Sequence, residues 1–280
     1  MYILIYTYMK KLRDLNIEEE LEIIEKIKTK KRKDIIVEYG ISDRHYQNIL
    51  KKHGIQLRER VQKYNFNENY FEKIDTEDKA YFLGFIVADG GVSRNNTLCI
   101  TQKEIDVLED FKKYIKFEGK IRKRTNINCY DIHLTSNKMI DDLLNLGIIP
   151  NKTNVVKYPN IPIEIESHFM RGLFDGDGCI SIHKDKREGK GGDRGQVNIC
   201  SGSKDFIEIY VDRLATYIGI KKNNIRCPRG TYYVIDWGGL SDVERIYNFF
   251  YENATVFLKR KKETFDKVMD IHSKKLKYRK

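Results

Sequence analysis

The chain has 280 residues, of which 40% are hydrophobic, and a formal net charge of +11. That length excludes one small module and allows two or three domains with real cores. Apolar runs stay well short of the roughly 20 residues of a membrane span, and the five scattered cysteines form no CxxC pair, which argues against a zinc site or a disulfide framework. The basic balance favours a polyanionic partner, and the cysteines favour a reducing compartment, cytoplasmic (bacterial or phage-encoded) or organellar, over secretion.

The first predicted element is a small helical module over residues 17–60. Its segment "KRKDIIVEYGISDRHYQNILKKHGI" predicts a helix, a turn at residues 40–42 and a second helix with Ser42 as N-cap. This segment resembles the helix-turn-helix of resolvase-like and regulatory proteins. The resemblance implies that Arg44, His45 and Gln47 lie near DNA bases. The alternative is a helical hairpin that only packs on the rest of the chain.

Two similar bodies follow, at residues 76–150 and 164–268, joined by a proline-rich linker at 151–163 and followed by a basic tail at 269–280. Apolar spacing predicts helices at 104–115, 136–148, 204–220 and 241–253, the last with Ser241 as N-cap, and alternation predicts strands between them. Each body therefore is predicted as helix, two strands, helix, two strands, helix, an α+β arrangement.

The two bodies also match residue for residue at a constant separation of 88 positions. The matching residues are Gly84, Asp89, Gly90, Val92 and Ser93 in the first body and Gly172, Asp177, Gly178, Ile180 and Ser181 in the second. This separation is far longer than a solenoid repeat and indicates a duplicated subdomain.

Small residues four apart, Gly84 with Ala88 and Gly172 with Gly176, predict two helices that pack closely along these faces. Asp89 and Asp177 then end side by side. Carboxylates are unfavourable at helix C-termini and repel each other, whereas a divalent cation between them would resolve the conflict. The following residues, Gly90 and Gly178, are expected as left-handed C-caps.

The segments "FLGFIVADG" (82–90) and "MRGLFDGDG" (170–178) resemble the paired motifs of the LAGLIDADG homing endonucleases in their single-chain, two-motif form. The flanking segments "LLNLGIIPNKT" and "FLKRKKETF" fit the same family, and the resemblance covers roughly residues 64–268. It implies two pseudo-symmetric αββαββα subdomains whose saddle-shaped antiparallel sheets lie over the DNA major groove.

The resemblance also implies a site-specific, Mg²⁺-dependent endonuclease that hydrolyses both DNA strands, with Mn²⁺ or Ca²⁺ able to replace Mg²⁺ in binding. Asp89 and Asp177 would hold the metal, and Gln102 and Lys103 would organise the attacking water. Their counterparts in the second body are Ser201 and Gly202, which do not suit that role, so its basic residue is left open between Lys204 and Arg229. Asp175, where the first body has Val87, is expected to be structural or to lie behind the metal ligands.

Alternating strand faces predict a DNA-reading surface, with Asp131 also pointing outward on it. Its candidate residues are Arg122, Arg124, His133, Ser181, His183, Asn198, Arg226 and Arg229. The expected partner is double-stranded DNA with a long, largely asymmetric target, bound by a monomer without any membrane, as in intron homing by a mobile genetic element. Two alternatives remain, a non-catalytic DNA-binding regulator on the same fold and an RNA-splicing maturase.

Overall fold

The structure is a computed structural model that describes residues 15–27, 30, 32–55, 64–93, 95–184 and 193–277. The chain divides into two compact units, residues 1–61 and residues 62–280. Within the described ranges, no helix is both long enough and apolar enough to cross a membrane.

The first unit is a group of three helices, α1 (Ile17–Ile27), α2 (Arg32–Tyr39) and α3 (Asp43–Lys52). Its core consists of Ile23, Ile35, Ile41, Tyr46, Ile49 and Leu50. Gly40 adopts a φ of +59° between α2 and α3, a conformation that favours glycine. Ser42 then caps α3, because its Oγ accepts a hydrogen bond from the His45 N–H at 3.1 Å. The helix, turn and capped second helix predicted from the sequence are confirmed.

The first repeat of the second unit has the order helix, two strands, helix, two strands, helix. Its elements are α4 (Glu77–Asp89), β1 (Gly90–Ser93), β2 (Thr97–Gln102), α5 (Ile105–Tyr114), β3 (Arg122–Lys123), β4 (Tyr130–Thr135) and α6 (Asn137–Asn145). The strands form one antiparallel sheet in the order β1-β2-β4-β3. The predicted αββαββα order is confirmed for this repeat.

The second repeat follows the same order of elements, except that one strand is reduced to an isolated bridge. Its elements are α7 (Glu166–Asp177), β5 (Cys179–His183), β6 (Arg194–Ser201), α8 (Lys204–Ile218), β7 (Tyr233–Trp237), α9 (Leu240–Tyr251) and α10 (Lys259–Lys277). The sheet is antiparallel in the order β5-β6-β7. An isolated bridge between Arg226 and Val234 stands where the first repeat has β3.

One face of each sheet is buried and the other is polar, as strand alternation requires. In the first sheet Leu98, Ile100, Ile132 and Leu134 are almost fully buried. In the second sheet the buried residues are Val197, Ile199, Ile235 and Trp237. A single hydrophobic core joins both repeats through α4 and α7.

Three boundaries differ from the sequence expectations. The packed body begins before residue 76, because Tyr70 and Phe71 are buried in its core. Helix α9 starts at Leu240 with Gly239 as N-cap, so Ser241 lies inside the first turn and is not the cap. Residues 269–277 of the expected tail belong to α10, whose Val268 fills the space left open by Gly195 on β6.

Candidate active site

Helices α4 and α7 cross in direct main-chain contact. A Cβ atom placed on Gly84 would lie 2.0 Å from the carbonyl oxygen of Phe169, and one placed on Gly172 would lie 1.9 Å from that of Tyr81. Real Cβ atoms essentially never approach that closely, so both positions require glycine. The close packing predicted from the small residues is confirmed, and it is reciprocal between the two repeats.

The same crossing brings the two helix ends together. A Cβ atom on Gly176 would lie 2.2 Å from the Cβ of Ala88 and 3.0 Å from a carboxylate oxygen of Asp89. The Asp89 carboxylate of α4 therefore lies against the last turn of α7, which ends at Asp177. The structure brings Asp89 and Asp177 to the same end of the helix pair.

Gly90 and Gly178 are not the left-handed caps expected from the sequence. Their φ angles are −85° and −83°, and their backbone is extended. Glycine is required there because the chain turns directly into β1 and β5: a Cβ atom would lie 2.7 Å from the Cγ2 of Ile86 in one case and 2.1 Å from the Phe174 ring in the other.

The surroundings of Asp89 and Asp177 disfavour the charged forms of both carboxyl groups. The Asp177 side chain reaches solvent, yet desolvation by the surrounding protein and the charge of Asp89 raise its pKa to about 6. Burial also raises the pKa of Asp89, against the lowering effects of the Lys261 charge, a Gln102 hydrogen bond and the Lys152 charge. This electrostatic cost would be relieved by a bound cation.

Gln102, at the end of β2, is the one predicted water-organising residue that contacts an acid. Its Nε2 donates to Asp89 Oδ2 at 2.5 Å. Lys103 is exposed, and within the described residues no hydrogen bond or ion pair involves it. In the second repeat Ser201 accepts a hydrogen bond from the Ser203 N–H at 3.1 Å and does not reach an acid.

Two buried lysines accompany the acids. Lys152 is 8% exposed and donates to the carbonyl oxygen of Gly90, while Lys261 is 4% exposed and donates to that of Gly178 at 2.5 Å. Each lysine therefore binds the glycine that follows the acid of its own repeat. Their positions are equivalent although their sequence surroundings differ.

The charges of these lysines act across the repeats. Of the two, Lys152 lowers the pKa of Asp177 more strongly, and Lys261 lowers that of Asp89 more strongly. Burial lowers the pKa of both ammonium groups, against the opposing effect of the acids. Neither lysine is among the residues singled out from the sequence, and Lys204, offered there for the second repeat, is exposed beside Glu208 instead. The Arg229 side chain lies outside the described residues.

Asp175 lies behind this site and is fully enclosed. Its carboxylate accepts hydrogen bonds from the Tyr81 hydroxyl at 2.9 Å, the Tyr251 hydroxyl at 3.1 Å and the Leu258 N–H at 2.7 Å. It thereby connects α4, α7, α9 and the segment that leads to α10, which carries Lys261.

The polar faces of both sheets hold the predicted DNA-reading side chains. Strand register places on them Arg122 and His133 in the first sheet and Ser181, His183 and Asn198 in the second. Arg124 and Arg226 extend the same faces at the sheet edges. In the N-terminal unit, Arg44 and Gln47 are exposed on α3, whereas His45 is half-buried.

The donor set limits which metal fits. Within the described part of the chain, no group of three or more His, Cys, Asp or Glu side chains is placed to hold an ion. Two adjacent carboxylates remain, each with a raised pKa. Mg²⁺ suits such a site, since it is commonly bound by one or two carboxylates together with phosphate oxygens and water.

Comparison with known proteins gives a domain match for part of the second repeat. Residues 164–248 match the model of the LAGLIDADG-like domain. Among solved structures, the LAGLIDADG meganuclease I-AabMI bound to uncleaved DNA is 16% identical, with a TM-score of 0.52, and the alignment covers 70% of this chain and 91% of that chain. The LAGLIDADG homing endonuclease I-LtrWI bound to target DNA is 14% identical, with a TM-score of 0.50 and coverage of 75% and 92%.

Curated proteins match over only a small part of their length. A glutamine–fructose-6-phosphate aminotransferase of Methanocaldococcus jannaschii is 26% identical over 65% of this chain and 17% of its own. A probable translation initiation factor IF-2 of the same organism is 24% identical over 93% of this chain and 22% of its own. The chain spans less than a quarter of the length of these relatives.

Proposed function

We propose that this chain, which carries a LAGLIDADG-like domain and has the fold of the LAGLIDADG homing endonucleases, is itself a site-specific DNA endonuclease that makes a double-strand break. One acid of each repeat would serve one DNA strand. The chain would act as a monomer, since it holds both repeats, in a reducing compartment of a cell or organelle.

The observation that supports this proposal is the pairing of Asp89 and Asp177 with Lys152 and Lys261. Two adjacent acids with raised pKa values and two buried lysines are costly to maintain in a scaffold. A protein that only bound DNA would be more stable without them. Their retention in both repeats favours phosphodiester hydrolysis over passive binding.

The proposed cofactor is Mg²⁺, held by Asp89 and Asp177, with Mn²⁺ or Ca²⁺ able to replace it in binding. Bound there, the ion would supply Lewis-acid activation of water and stabilisation of the leaving oxygen. The chain's own contribution is to hold the two carboxylates at a fixed separation through the glycine contacts of α4 and α7.

Gln102 and the two lysines would complete the site. Gln102 fixes one oxygen of Asp89 and leaves the other free for a ligand. Lys152 and Lys261 are anchored by main-chain carbonyls, which restricts their ammonium groups, and their charges lower the pKa of both acids. There they would stabilise negative charge that develops on the phosphate during hydrolysis.

The polar faces of the two sheets would lie in the major groove of a long, largely asymmetric target, and the net charge of +11 favours binding to its phosphates. The N-terminal unit would add a further contact through the exposed Arg44 and Gln47 of α3.

The proposal is tested by incubating the purified chain with DNA that flanks its own gene, in Mg²⁺ and in EDTA. Double-strand cleavage is expected in Mg²⁺ alone, and it should be lost in Asp89→Asn and in Asp177→Asn. Asp141→Asn, on the exposed side of α6, is a matched control that should cut normally. Tight DNA binding by the unaltered chain without any cut would favour the regulator, and preferential RNA binding the maturase.

A further inference from the structure

Asp131 is an acid buried on the polar face of the first sheet. It lies on β4, opposite Thr101 of β2 and Arg122 of β3. Although this face carries the side chains that are not in the core, Asp131 is only 7% exposed. Polar neighbours cover it, so its position is not explained by packing of the hydrophobic core.

The main neighbour is Arg124. Its Nε donates to both carboxylate oxygens of Asp131, at 2.9 and 2.8 Å, and the Thr101 hydroxyl donates to one of them at 2.9 Å. Burial alone would raise the pKa of Asp131, but the hydrogen bonds from Arg124 and Thr101 outweigh it and lower that pKa below the usual value. The pair is therefore ionised and held together at neutral pH.

This contact leaves the outer end of the guanidinium available. Neither Nη nitrogen of Arg124 donates a hydrogen bond to the described residues, and the side chain is 44% exposed. The two Nη nitrogens present parallel N–H groups, which match the O6 and N7 acceptors of guanine in the major groove. The Nε contact fixes the direction in which they point.

A second arginine–aspartate pair occurs in the other repeat. It is held through an Nη nitrogen and not through Nε, so Nη1 is the arginine nitrogen at that end with no hydrogen bond to the described residues. Arg226 donates through Nη2 to Asp236 of β7, and Gln196 donates to the other oxygen of the same carboxylate at 3.3 Å. Asp236 lies on the polar face of its sheet, opposite Asn198. Arg226 is 58% exposed.

The charge balance of these pairs favours bases over phosphates. The ion pair of an arginine with a carboxylate has little net charge, so it gains less from a phosphate than a free arginine does, because the carboxylate repels the phosphate. The arginine N–H groups that do not bind the carboxylate can still donate, and the guanine edge carries no formal charge.

The two pairs lie at different levels of their sheets. Asp131 is one position from Tyr130, which faces Gln102 at the active-site end of β2. Asp236 is three positions from Tyr233, which faces Ser201 at the corresponding end of β6. A difference of two strand residues is about 7 Å, close to the rise of two base pairs.

We propose that Asp131 and Asp236 are positioning residues that hold Arg124 and Arg226 for recognition of one guanine in each half of the DNA target. The guanine contacted by Arg124 lies about two base pairs closer to the centre of the target than the one contacted by Arg226. This inference rests on the proposed function, because it requires the sheets to lie in the major groove.

The test separates recognition from cleavage by using the Asp89→Asn, Asp177→Asn double variant, which should bind without cutting. Once the target is known, every position is varied singly and the relative affinity for each base is measured by competition. Guanine is expected to be preferred about tenfold at one position in each half. The preference at the inner position should be lost in Arg124→Ala, and the preference at the outer position in Arg226→Ala.

Arg122→Ala is the matched control, because Arg122 lies on the same face of the sheet without an acidic hydrogen-bond partner among the described residues. It should weaken binding without removing the guanine preference at either of these two positions. Asp131→Asn should reduce the guanine preference at the inner position several-fold while leaving that at the outer position unchanged, which a general loss of stability would not do.

Sequence-selective binding that keeps both guanine preferences in Arg124→Ala and Arg226→Ala would overturn the inference and leave the proposed function standing. The same holds if Asp131→Asn, folded by circular dichroism, retains the full preference at the inner position. Absence of any sequence-selective DNA binding would overturn both.

Discussion

Lys261 is held by the main chain of the second repeat, yet it is the positive charge that acts most strongly on Asp89 of the first repeat. Lys152 has the converse relation to Asp177. Each acid therefore depends on a lysine anchored in the other repeat. The charges of the two repeats are therefore electrostatically coupled at this site.

Replacement of Lys261 by Met should lower the rate of DNA cleavage by about 100-fold or more, because a preorganised charge is lost at the phosphate. Cleavage of a plasmid that contains the target, under single-turnover conditions, measures it. Lys262→Met is the matched control, because Lys262 pairs with Asp266 instead. Binding to DNA in Ca²⁺ should persist in both variants, and an unaltered rate in Lys261→Met would contradict the role assigned to it.

Replacement of Gly84 or Gly172 by Ala should destabilise the second compact unit by about 2–4 kcal/mol, because the added methyl group meets main-chain atoms that cannot move aside. Thermal unfolding monitored by circular dichroism measures the effect. Gly91→Ala, whose added atom meets nothing within 4 Å, should change stability by less than about 0.5 kcal/mol. Equal effects at Gly84 and Gly91 would refute the steric explanation.

The Asp177 carboxyl of the metal-free chain should contribute a loss of stability as the pH rises from about 4 to 6. The Asp177 pKa is raised to about 6 in the folded state, so the unfolded state loses this proton at a lower pH than the folded state does. The resulting loss of stability is complete above pH 6. Asp177→Asn should therefore stabilise the chain more at pH 8 than at pH 4.5. Because the group reaches solvent, we expect a difference of only about 1 kcal/mol.

Chemical unfolding in EDTA at the two pH values checks this prediction, with Asp141→Asn as the control for removal of an acid. Addition of Mg²⁺ at pH 8 should stabilise the unaltered chain more than Asp177→Asn. A stabilisation by Asp177→Asn that is the same at both pH values would show that the charge is not its cause.

Replacement of Asp175 by Asn should cost about 2–4 kcal/mol of stability, because an amide cannot accept from all three donors that surround it. Tyr81→Phe removes one of those donors and should cost about 1 kcal/mol. A double-mutant cycle on the free energy of unfolding should give a coupling between the two changes, and strict additivity would argue that they do not interact in this way.

The sequence allows prediction of the repeat order, the helix contact and the two acids. Those features depend on residues that recur at one separation, such as Gly84 with Gly172 and Asp89 with Asp177. The members of each pair occupy equivalent positions on α4 and α7, so comparison of the two repeats is sufficient to identify them.

Comparison of the two repeats does not identify the buried lysines, Lys152 and Lys261. The chain contains 52 lysine and arginine residues, and what distinguishes Lys152 and Lys261 is burial against the carbonyl oxygens of distant glycines. Their surroundings differ between the repeats, a 3₁₀ turn in one and the first turn of α10 in the other. The conformations of Gly90 and Gly178 differ from the sequence prediction for a similar reason, because the steric demand comes from Ile86 and Phe174 and not from a helix cap.

The glycine contact between α4 and α7 makes the spacing of the two acids independent of the side chains on the polar sheet faces. No side chain lies between the helices at Gly84 and Gly172, so the backbone sets the spacing of Asp89 and Asp177. The side chains on the polar sheet faces take no part in that contact. If the chain is the proposed endonuclease, mutations on these faces would redirect it to a new DNA sequence while the geometry of the acidic pair stays unchanged.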